Sequence, residues 1–190
     1  MTRRQLVGFV VVLALIGAGL LLRGRGGTST DAHLPGLRRA AALQPCPAGL
    51  GSHVPDVTLM CLGDGKDIAL RHAEPGRPLI VNIWATWCGP CVREVPALVS
   101  FAAKAGGRIG IVGVDTEDEP GKALTFATQF GMHYPSIVDP DGKVLRAFGS
   151  GPPITLLLDA SGVVRFRHQG ELRSRAEIEQ LVAQHLGVSL

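Results

Sequence analysis

Short apolar runs alternate along this chain with longer stretches whose apolar residues recur at helical spacing. The runs at 79–83 and 109–114 carry no charge and are rich in β-branched residues, which is typical of buried strands. The stretches at 92–101 and 123–130 place apolar residues every three or four positions, which predicts helices, and Gly131 predicts where the second helix ends. This β-α-β-α order predicts parallel strands joined by right-handed crossovers.

Turn signals divide the remainder of the chain into shorter elements. A Gly-Asp-Gly turn at 63–65 separates the two strands of a predicted β-hairpin, and Ser161-Gly162 separates two further strands. A capping-box pattern at Ser174 and Glu177 predicts the start of a closing amphipathic helix. The strands that these signals delimit are predicted at 57–62, 66–70, 134–138, 155–158 and 163–168.

Residues 6–22 form an uninterrupted run of uncharged residues, many of them Val or Leu. The length of this run lies at the short limit for a membrane span. A cleaved secretory signal is the alternative, but no convincing small-residue cleavage site follows the run. We therefore expect residues 1–26 to be an uncleaved signal anchor, residues 27–44 a flexible tether, and residues 45–190 one folded domain.

Composition and charge limit the classes of molecule that the chain is expected to bind. Hydrophobic residues make up 46% of the chain, which is ample for a core, and only 18% of the residues are charged. The formal net charge of +3 depends on four arginines that flank the apolar run; without them, 15 basic residues face 16 acidic ones. The rest of the chain is therefore near neutral, and nothing in it predicts a nucleic-acid partner.

The strongest chemical signal is the sequence Cys88-Gly89-Pro90-Cys91, placed where a predicted strand ends and a predicted helix begins. The first turn of a helix has unpaired N–H groups and the positive end of the peptide dipole, which lowers the pKa of a cysteine thiol and favours the thiolate. Cys88, ahead of the helix, is predicted to attack a disulfide, and Cys91 to resolve the mixed disulfide. Half of a zinc site is the competing interpretation, but the sequence has no second Cys or His pair at ligand spacing.

The sequence around these cysteines resembles a known family. W-C-G-P-C after a V-N-I-W-A strand is similar to the thioredoxin superfamily, and N-I-W-A-T-W-C-G-P-C-V-R-E-V-P resembles its membrane-tethered bacterial branch, the TlpA/ResA-like thiol–disulfide oxidoreductases. The resemblance implies a thioredoxin-like α/β fold, in which a central mixed sheet is flanked by helices. It also implies an N-terminal β-hairpin extension and an inserted helical segment at 117–134.

A second stretch, Gly151-Pro152-Pro153-Ile154-Thr155, is similar to the G-x-P-x-T signature of the same family. The resemblance implies that Pro153 is a cis-proline that faces the cysteines and presents a backbone edge to an extended substrate. Pro152 is unusual for the family and removes one N–H donor from that edge. The residues that we expect to contact substrate are Trp87, Gly89, Pro90 and Pro152.

Glu94 completes the C-x-x-C-x-x-E pattern of the TlpA/ResA-like branch. A carboxyl group at this position is implied to exchange a proton with Cys91 as a general base, with a pKa raised by partial burial. The alternative is that Glu94 only caps the first turn of the helix, where acidic residues are favoured. Asn82 stands where thioredoxins of the cytoplasm carry a buried Asp, so that internal proton acceptor is expected to be absent.

Cys46 and Cys61 remain as a second pair of cysteines. In a cytoplasmic protein they would more often be two unrelated buried thiols. Here a membrane-targeting segment precedes them, and the four cysteines of the chain divide evenly into two pairs. We therefore expect a structural disulfide that closes the loop between Cys46 and Cys61.

These features predict a thiol–disulfide oxidoreductase on the extracytoplasmic side of the cell membrane, anchored by residues 6–22 and lacking a metal or other cofactor. The resemblance implies reduction of cysteine-containing exported proteins, as in cytochrome c maturation, and a membrane redox partner that recycles the dithiol. A disulfide-forming oxidase is one alternative. A copper chaperone that holds Cu(I) with Cys88, Cys91 and a distant histidine such as His168 is another, although the copper-carrying family has three residues between its cysteines.

Overall fold

The computed structural model of the chain describes residues 33–73 and 75–190. The predicted signal anchor at 1–26 and the start of the predicted tether lie outside the described residues. Within the described part, no helix is both long and apolar enough to cross a membrane.

Seven strands form one mixed sheet with the order β2-β1-β5-β4-β3-β6-β7. The pairs β3–β4 and β4–β5 are parallel, and the pairs at both flanks are antiparallel. Both predictions, the parallel centre and the mixed sheet, are confirmed. The strands are β1 (Thr58–Cys61), β2 (Asp67–Ala69), β3 (Leu79–Trp84), β4 (Gly110–Thr116), β5 (Ser136–Asp139), β6 (Ile154–Leu158) and β7 (Val164–Gln169).

Five helices are present in the described residues: α1 (Leu34–Ala41), α2 (Gly89–Ala105), α3 (Pro120–Phe130), α4 (Lys143–Phe148) and α5 (Arg175–Leu186). The predicted stop at Gly131 is confirmed, because this residue ends α3 with a φ of 63° and its N–H donates to the last carbonyls of the helix. The predicted cap at Ser174 is confirmed as well, since its Oγ accepts a hydrogen bond from the N–H of Glu177 at 3.1 Å.

The alternation of side chains along β3 divides the core between the two faces of the sheet. Ile80 and Trp84 belong to a cluster that also contains residues of α1, α2, α3 and α5. Val81 and Ile83 belong to a second cluster, which the hairpin, the segment before it and α4 help to complete. A central strand buried on both faces must be apolar almost throughout. The apolar run at 79–83 is therefore a clear signal of a buried strand. Asn82 is the exception, and it lies on the face that α2 covers.

The expectation of a flexible tether through residue 44 is wrong for its second half. Residues 34–41 form α1, and Ala41 is fully buried. Leu34, Leu37 and Ala41 follow helical spacing and pack into the first cluster. The Arg38 Nε also donates to the carbonyl of Leu62 at 3.1 Å. The folded domain therefore begins near residue 34 rather than at residue 45.

The predicted hairpin is present and is joined to the sheet through β1 and β5. Gly65 turns the chain between its strands with a φ of 78°, a conformation that favours glycine. Cys46 and Cys61 form a disulfide with their Cα atoms 6.0 Å apart, as predicted. This bond ties the segment that follows α1 to the last residue of β1.

Candidate active site

The two cysteines of the C-G-P-C sequence lie at the junction between β3 and α2. Cys88 is the N-cap residue of α2, with extended backbone, and Cys91 lies within the first helical turn. Their sulfur atoms are joined in a disulfide, with Cα atoms 5.2 Å apart. The backbone N–H of Cys91 points at the Sγ of Cys88 over 3.2 Å. A thiolate at Cys88 would accept this hydrogen bond and lie at the positive end of the helix dipole.

The two sulfur-bearing residues differ slightly in exposure. Cys88 is 4% exposed, and Cys91 is fully buried. Gly89 and Pro90 are exposed beside Cys88. An incoming disulfide therefore reaches the Cys88 side of the pair first. This arrangement favours Cys88 as the attacking thiol, a role that stays a prediction.

The cis-proline loop lies at the same edge of the sheet. The Pro152–Pro153 peptide bond is cis, as predicted. Because Ile83 pairs with Ile154 in the antiparallel β3–β6 ladder, the residue that precedes β6 lies where β3 ends. The side-chain amide of Gln169 donates to the carbonyls of Gly151 at 2.9 Å and of Pro153 at 3.2 Å, which fixes the loop. Pro153 is buried and Pro152 is half-buried.

A residue that follows the neighbouring strand β4 holds the loop between Trp84 and Cys88, and no sequence motif identified it. The Oδ2 of Asp118 accepts hydrogen bonds from the N–H of Thr86 at 2.7 Å and from its hydroxyl at 2.6 Å. The signal that could have found it is topological: Asp118 follows β4, and parallel β3 and β4 end at the same edge of the sheet.

Trp87 is the exposed aromatic residue of the site. Its side chain is 56% exposed, and its indole Nε1 donates to the carbonyl of Glu117 at 3.1 Å. Glu117 has a φ of 51°, a conformation that non-glycine residues rarely adopt. A large apolar side chain held in solvent beside the disulfide is a suitable contact surface for a protein substrate. Trp84, in contrast, is fully buried and stacks on Phe126, so its role is packing.

Glu94 is a residue of α2 and is fully buried, whereas only partial burial was predicted. Its Oε1 accepts from the Asn82 Nδ2 at 2.7 Å, and its Oε2 accepts from the N–H of Leu172 at 3.1 Å. Burial raises the pKa of Glu94 to about 7, against the opposing effect of these two hydrogen bonds. The alternative of a helix cap is wrong, because Cys88 is the cap and the first turn of α2 has no acidic residue.

A carboxyl group that titrates near neutral pH can both accept and return a proton. Glu94 lies one helical turn beyond Cys91, the cysteine that must lose a proton before it attacks. Asn82 holds the carboxyl group in place and also donates to the Thr155 hydroxyl at 3.2 Å. Proton exchange between Glu94 and Cys91 stays a prediction that the environment of Glu94 favours.

Glu94→Gln is expected to weaken the pH dependence of stability. The pKa of Glu94 rises from 4.5 to about 7 in the folded state, so folding favours the protonated form. The stability gained by this preference is present below pH 4.5 and is lost as the pH rises through 7. The rise corresponds to about 3 kcal/mol, and the uncharged glutamine lacks it. Urea unfolding at pH 5 and pH 8 checks this, and an equal loss in both proteins contradicts it.

The histidine of the copper-chaperone alternative does not join the two cysteines. His168 lies on β7 opposite Thr155. Among residues 33–73 and 75–190, no group of three His, Cys, Asp or Glu side chains is placed to hold a metal ion. The set formed by Cys88, Cys91 and His168 is therefore not assembled in the described structure.

Comparisons with known proteins identify the family of the chain. The Redoxin family profile matches residues 50–183. The chain is 35% identical over 135 residues to thiol:disulfide interchange protein DsbE of Escherichia coli strain K12, with 70% of this chain and 71% of that protein covered. It is 32% identical over 128 residues to DsbE of Xylella fastidiosa strain 9a5c, with 66% of this chain covered and only 64% of that protein's length spanned.

Solved structures show the same fold. A thiol:disulfide interchange protein of the thioredoxin family from Chlorobium tepidum TLS superposes with a TM-score of 0.59 at 29% identity, covering 70% of this chain and 95% of that one. The predicted thioredoxin-like fold is thereby confirmed. The predicted class of chemistry, exchange between thiols and disulfides, agrees with the names of these relatives.

Proposed function

We propose, since this chain belongs to the Redoxin family and is a thiol–disulfide oxidoreductase, that it reduces disulfides in cysteine-containing proteins outside the cytoplasm. The observation that carries the proposal is the Cys88–Cys91 disulfide at the N-terminus of α2, at the same sheet edge as cis-Pro153. A redox-active pair in this setting can exist as a dithiol or a disulfide, and an extended substrate can lie against the proline loop.

The reaction begins from the reduced pair. The Cys88 thiolate attacks one sulfur of a substrate disulfide, a new S–S bond forms, and the second substrate sulfur leaves as a thiolate that takes up a proton. Cys91 then loses its proton to Glu94 and attacks the Sγ of Cys88. The Cys88–Cys91 disulfide forms, the mixed S–S bond breaks, and the first substrate sulfur leaves as a thiolate that takes up a proton. The substrate has then gained the two electrons that the enzyme has lost.

The residues around the pair favour the reducing direction. Gly89 and Pro90 add no charge that would stabilise a Cys88 thiolate. Glu94, partly ionised at neutral pH, opposes a nearby thiolate. Asn82 acts in the other direction, because it replaces a carboxyl group by an amide. A less stable thiolate makes a disulfide harder to reduce, so we place the potential near the thioredoxin value of about −270 mV.

Equilibration of the Cys88–Cys91 pair with a glutathione redox series tests the direction. A potential near about −270 mV supports a reductase, whereas a value above about −180 mV supports the alternative of a disulfide-forming oxidase. The second pair, Cys46–Cys61, is replaced by alanines in a parallel sample, so that only the active-site pair titrates.

Substrate class and location extend the proposal. The relatives are named thiol:disulfide interchange proteins, and we propose exported proteins with paired cysteines as substrates, among them apocytochromes c. A membrane redox partner would return electrons to the pair. Residues 6–22 would anchor the chain with its domain on the extracytoplasmic side. Protease added to intact spheroplasts is expected to release the domain, and full protection of the folded domain contradicts this location.

Pro152→Ala is expected to strengthen substrate docking. Alanine restores the backbone N–H that proline lacks at the proposed docking edge, and one added hydrogen bond contributes about 1 kcal/mol, or about a fivefold lower KM. Gly151→Ala is a matched control, because a methyl group there meets no atom within 4 Å and no donor is gained. Steady-state reduction of a disulfide-containing peptide gives the comparison. An unchanged KM for Pro152→Ala would exclude a docking role for this N–H.

A further inference from the structure

A carboxyl group that the reaction above does not use lies buried in β4. Asp115 is fully buried, and neither of its side-chain oxygens has a hydrogen-bond partner among the residues that the structure describes. An unpartnered buried carboxylate is costly, so a group in this position is favoured only in its protonated form. Buried titratable groups of this kind cluster at functional sites in proteins.

Asp115 lies on the strand next to the one from which the active-site loop leaves. In the parallel β3–β4 ladder it pairs with Trp84, the last residue before that loop. Trp84 is packed in the same buried cluster as Cys88 and Cys91. Three residues further along, Asp118 holds the loop itself through Thr86. The end of β4 that carries Asp115 is therefore coupled to the backbone that positions Cys88.

Two further buried polar atoms lie on the face of β4 that carries Asp115. Gly113, two residues earlier on the same face of β4, leaves room for the Ser136 Oγ and the Trp84 Nε1. A side chain at Gly113 would place its Cβ 2.5 Å from the first atom and 2.7 Å from the second. Neither of these two atoms has a hydrogen-bond partner in the described part of the chain. The part of β4 that leads to Asp115 therefore has further buried polar atoms without partners on the same face of the sheet.

Two acidic groups, Asp118 and Asp139, act on the charge of Asp115. Burial, followed by repulsion from Asp118 and Asp139, raises the pKa of Asp115 to about 8. Glu94 of α2 and Tyr134 of the segment before β5 lie on the same side of the sheet, and burial raises the pKa of each. A thiolate at Cys88 would be one more negative charge near this group.

We propose that Asp115 is a second buried carboxyl group of the dithiol site, which holds a proton while Cys88 is a thiolate and opposes that thiolate when the proton leaves. Asp115 does not touch the sulfur atoms in this proposal; it acts through its charge. The inference depends on the thiol–disulfide activity of the chain, but not on whether the chain serves as reductase or oxidase. By linkage, each of the two ionisations disfavours the other to the same extent.

Asp115→Asn tests the proposal, because asparagine has the same shape and no ionisable proton. The full-length variant and the wild-type chain are equilibrated with glutathione at pH 6 and at pH 9. At pH 6 both side chains are uncharged, and equal equilibrium constants are expected. At pH 9 the wild-type carboxylate opposes the thiolate, so the variant is expected to be about tenfold more oxidising, the effect of one pKa unit.

Asp141→Asn removes an exposed carboxylate near the end of β5 and provides the control, for which equal constants are expected at both pH values. A shift of the same size at pH 6 and pH 9 in Asp115→Asn would identify a merely structural role and overturn the proposal. No shift at pH 9 would overturn it as well. Neither result bears on the direction of electron flow, which the absolute potential of the wild-type chain decides.

The wild-type chain offers a second measurement that does not depend on the folding of a variant. Carboxyl carbon NMR follows the titration of Asp115 in the oxidised and in the reduced protein. The pKa of Asp115 is expected to be higher in the reduced protein, because the Cys88 thiolate exists only there. Equal pKa values in the two redox states would overturn the proposal.

Discussion

Cys91→Ser is expected to stop the enzyme at the mixed disulfide. Cys88 can still attack a substrate disulfide, because it keeps its place as the N-cap of α2. A serine hydroxyl cannot attack the resulting S–S bond as the Cys91 thiolate does, so the adduct is not resolved. Turnover is expected to fall to the level of the uncatalysed exchange. Non-reducing electrophoresis should show substrate proteins joined to the variant, and mass spectrometry of these adducts would identify the substrates.

The control variants separate the roles of the two cysteines. Cys88→Ser is expected to form no adducts, since the remaining Cys91 is fully buried. The double variant, in which both cysteines are replaced, is likewise expected to form no adducts. Adducts that form through Cys91 and not through Cys88 would reverse the assigned roles. Exported proteins with paired cysteines among the trapped adducts would support the proposed substrate class.

The central elements of this fold were predictable because two local signals agree in each of them. The runs that became β3 and β4 are apolar on both faces, as strands covered by helices on both sides must be. α2 and α3 each show helical spacing and end at a glycine in the left-handed conformation. Where helical periodicity and a glycine stop signal coincide, the local sequence is sufficient to predict the helix and the place where it ends.

α1 and α4 were missed for a different reason. α4 has six residues, too few for a periodic pattern, and it is held by Asp139, whose carboxylate accepts from the N–H groups of Lys143, Val144 and Leu145. α1 has eight residues within a polar stretch, and the apolar residues on one side of it have a packing partner only because α3 lies against them. Short helices that depend on a distant partner leave a weak local signal.

The residues of the site likewise differ in whether the sequence alone could locate them. Cys88, Cys91 and Pro153 lie in contiguous motifs, so the sequence alone located them. Asp118 and Asp115 reach the site only because β4 is the parallel neighbour of β3, and no local pattern reveals which strands become neighbours. The depth at which Glu94 is buried depends likewise on the segment that carries Leu172, far along the chain. Pairing between distant segments, rather than local composition, therefore decides the electrostatics of this site.

Replacement of both Cys46 and Cys61 by alanine is expected to destabilise the domain by about 3 kcal/mol, because the crosslink closes a loop of about 15 residues in the unfolded chain. The loop contains Leu50 and Val54, which are buried in the second core cluster, so the ordered segment itself packs well. The loss should therefore come mainly from the larger entropy of the unfolded chain. Urea unfolding gives the size of the effect.

The double alanine variant of Cys88 and Cys91 is the matched control. These two cysteines are three positions apart in the sequence, whereas Cys46 and Cys61 are 15 positions apart. The Cys88–Cys91 bond therefore constrains the unfolded chain far less, and its removal should cost less stability. Mild reductant should open the Cys88–Cys91 bond first, because Cys88 is the N-cap of α2, where the helix dipole stabilises the thiolate that leaves, and it should leave the structural bond intact. Equal unfolding midpoints for the Cys46/Cys61 variant and the wild type, or free thiols at these two positions in protein isolated from its native compartment, would contradict a structural role.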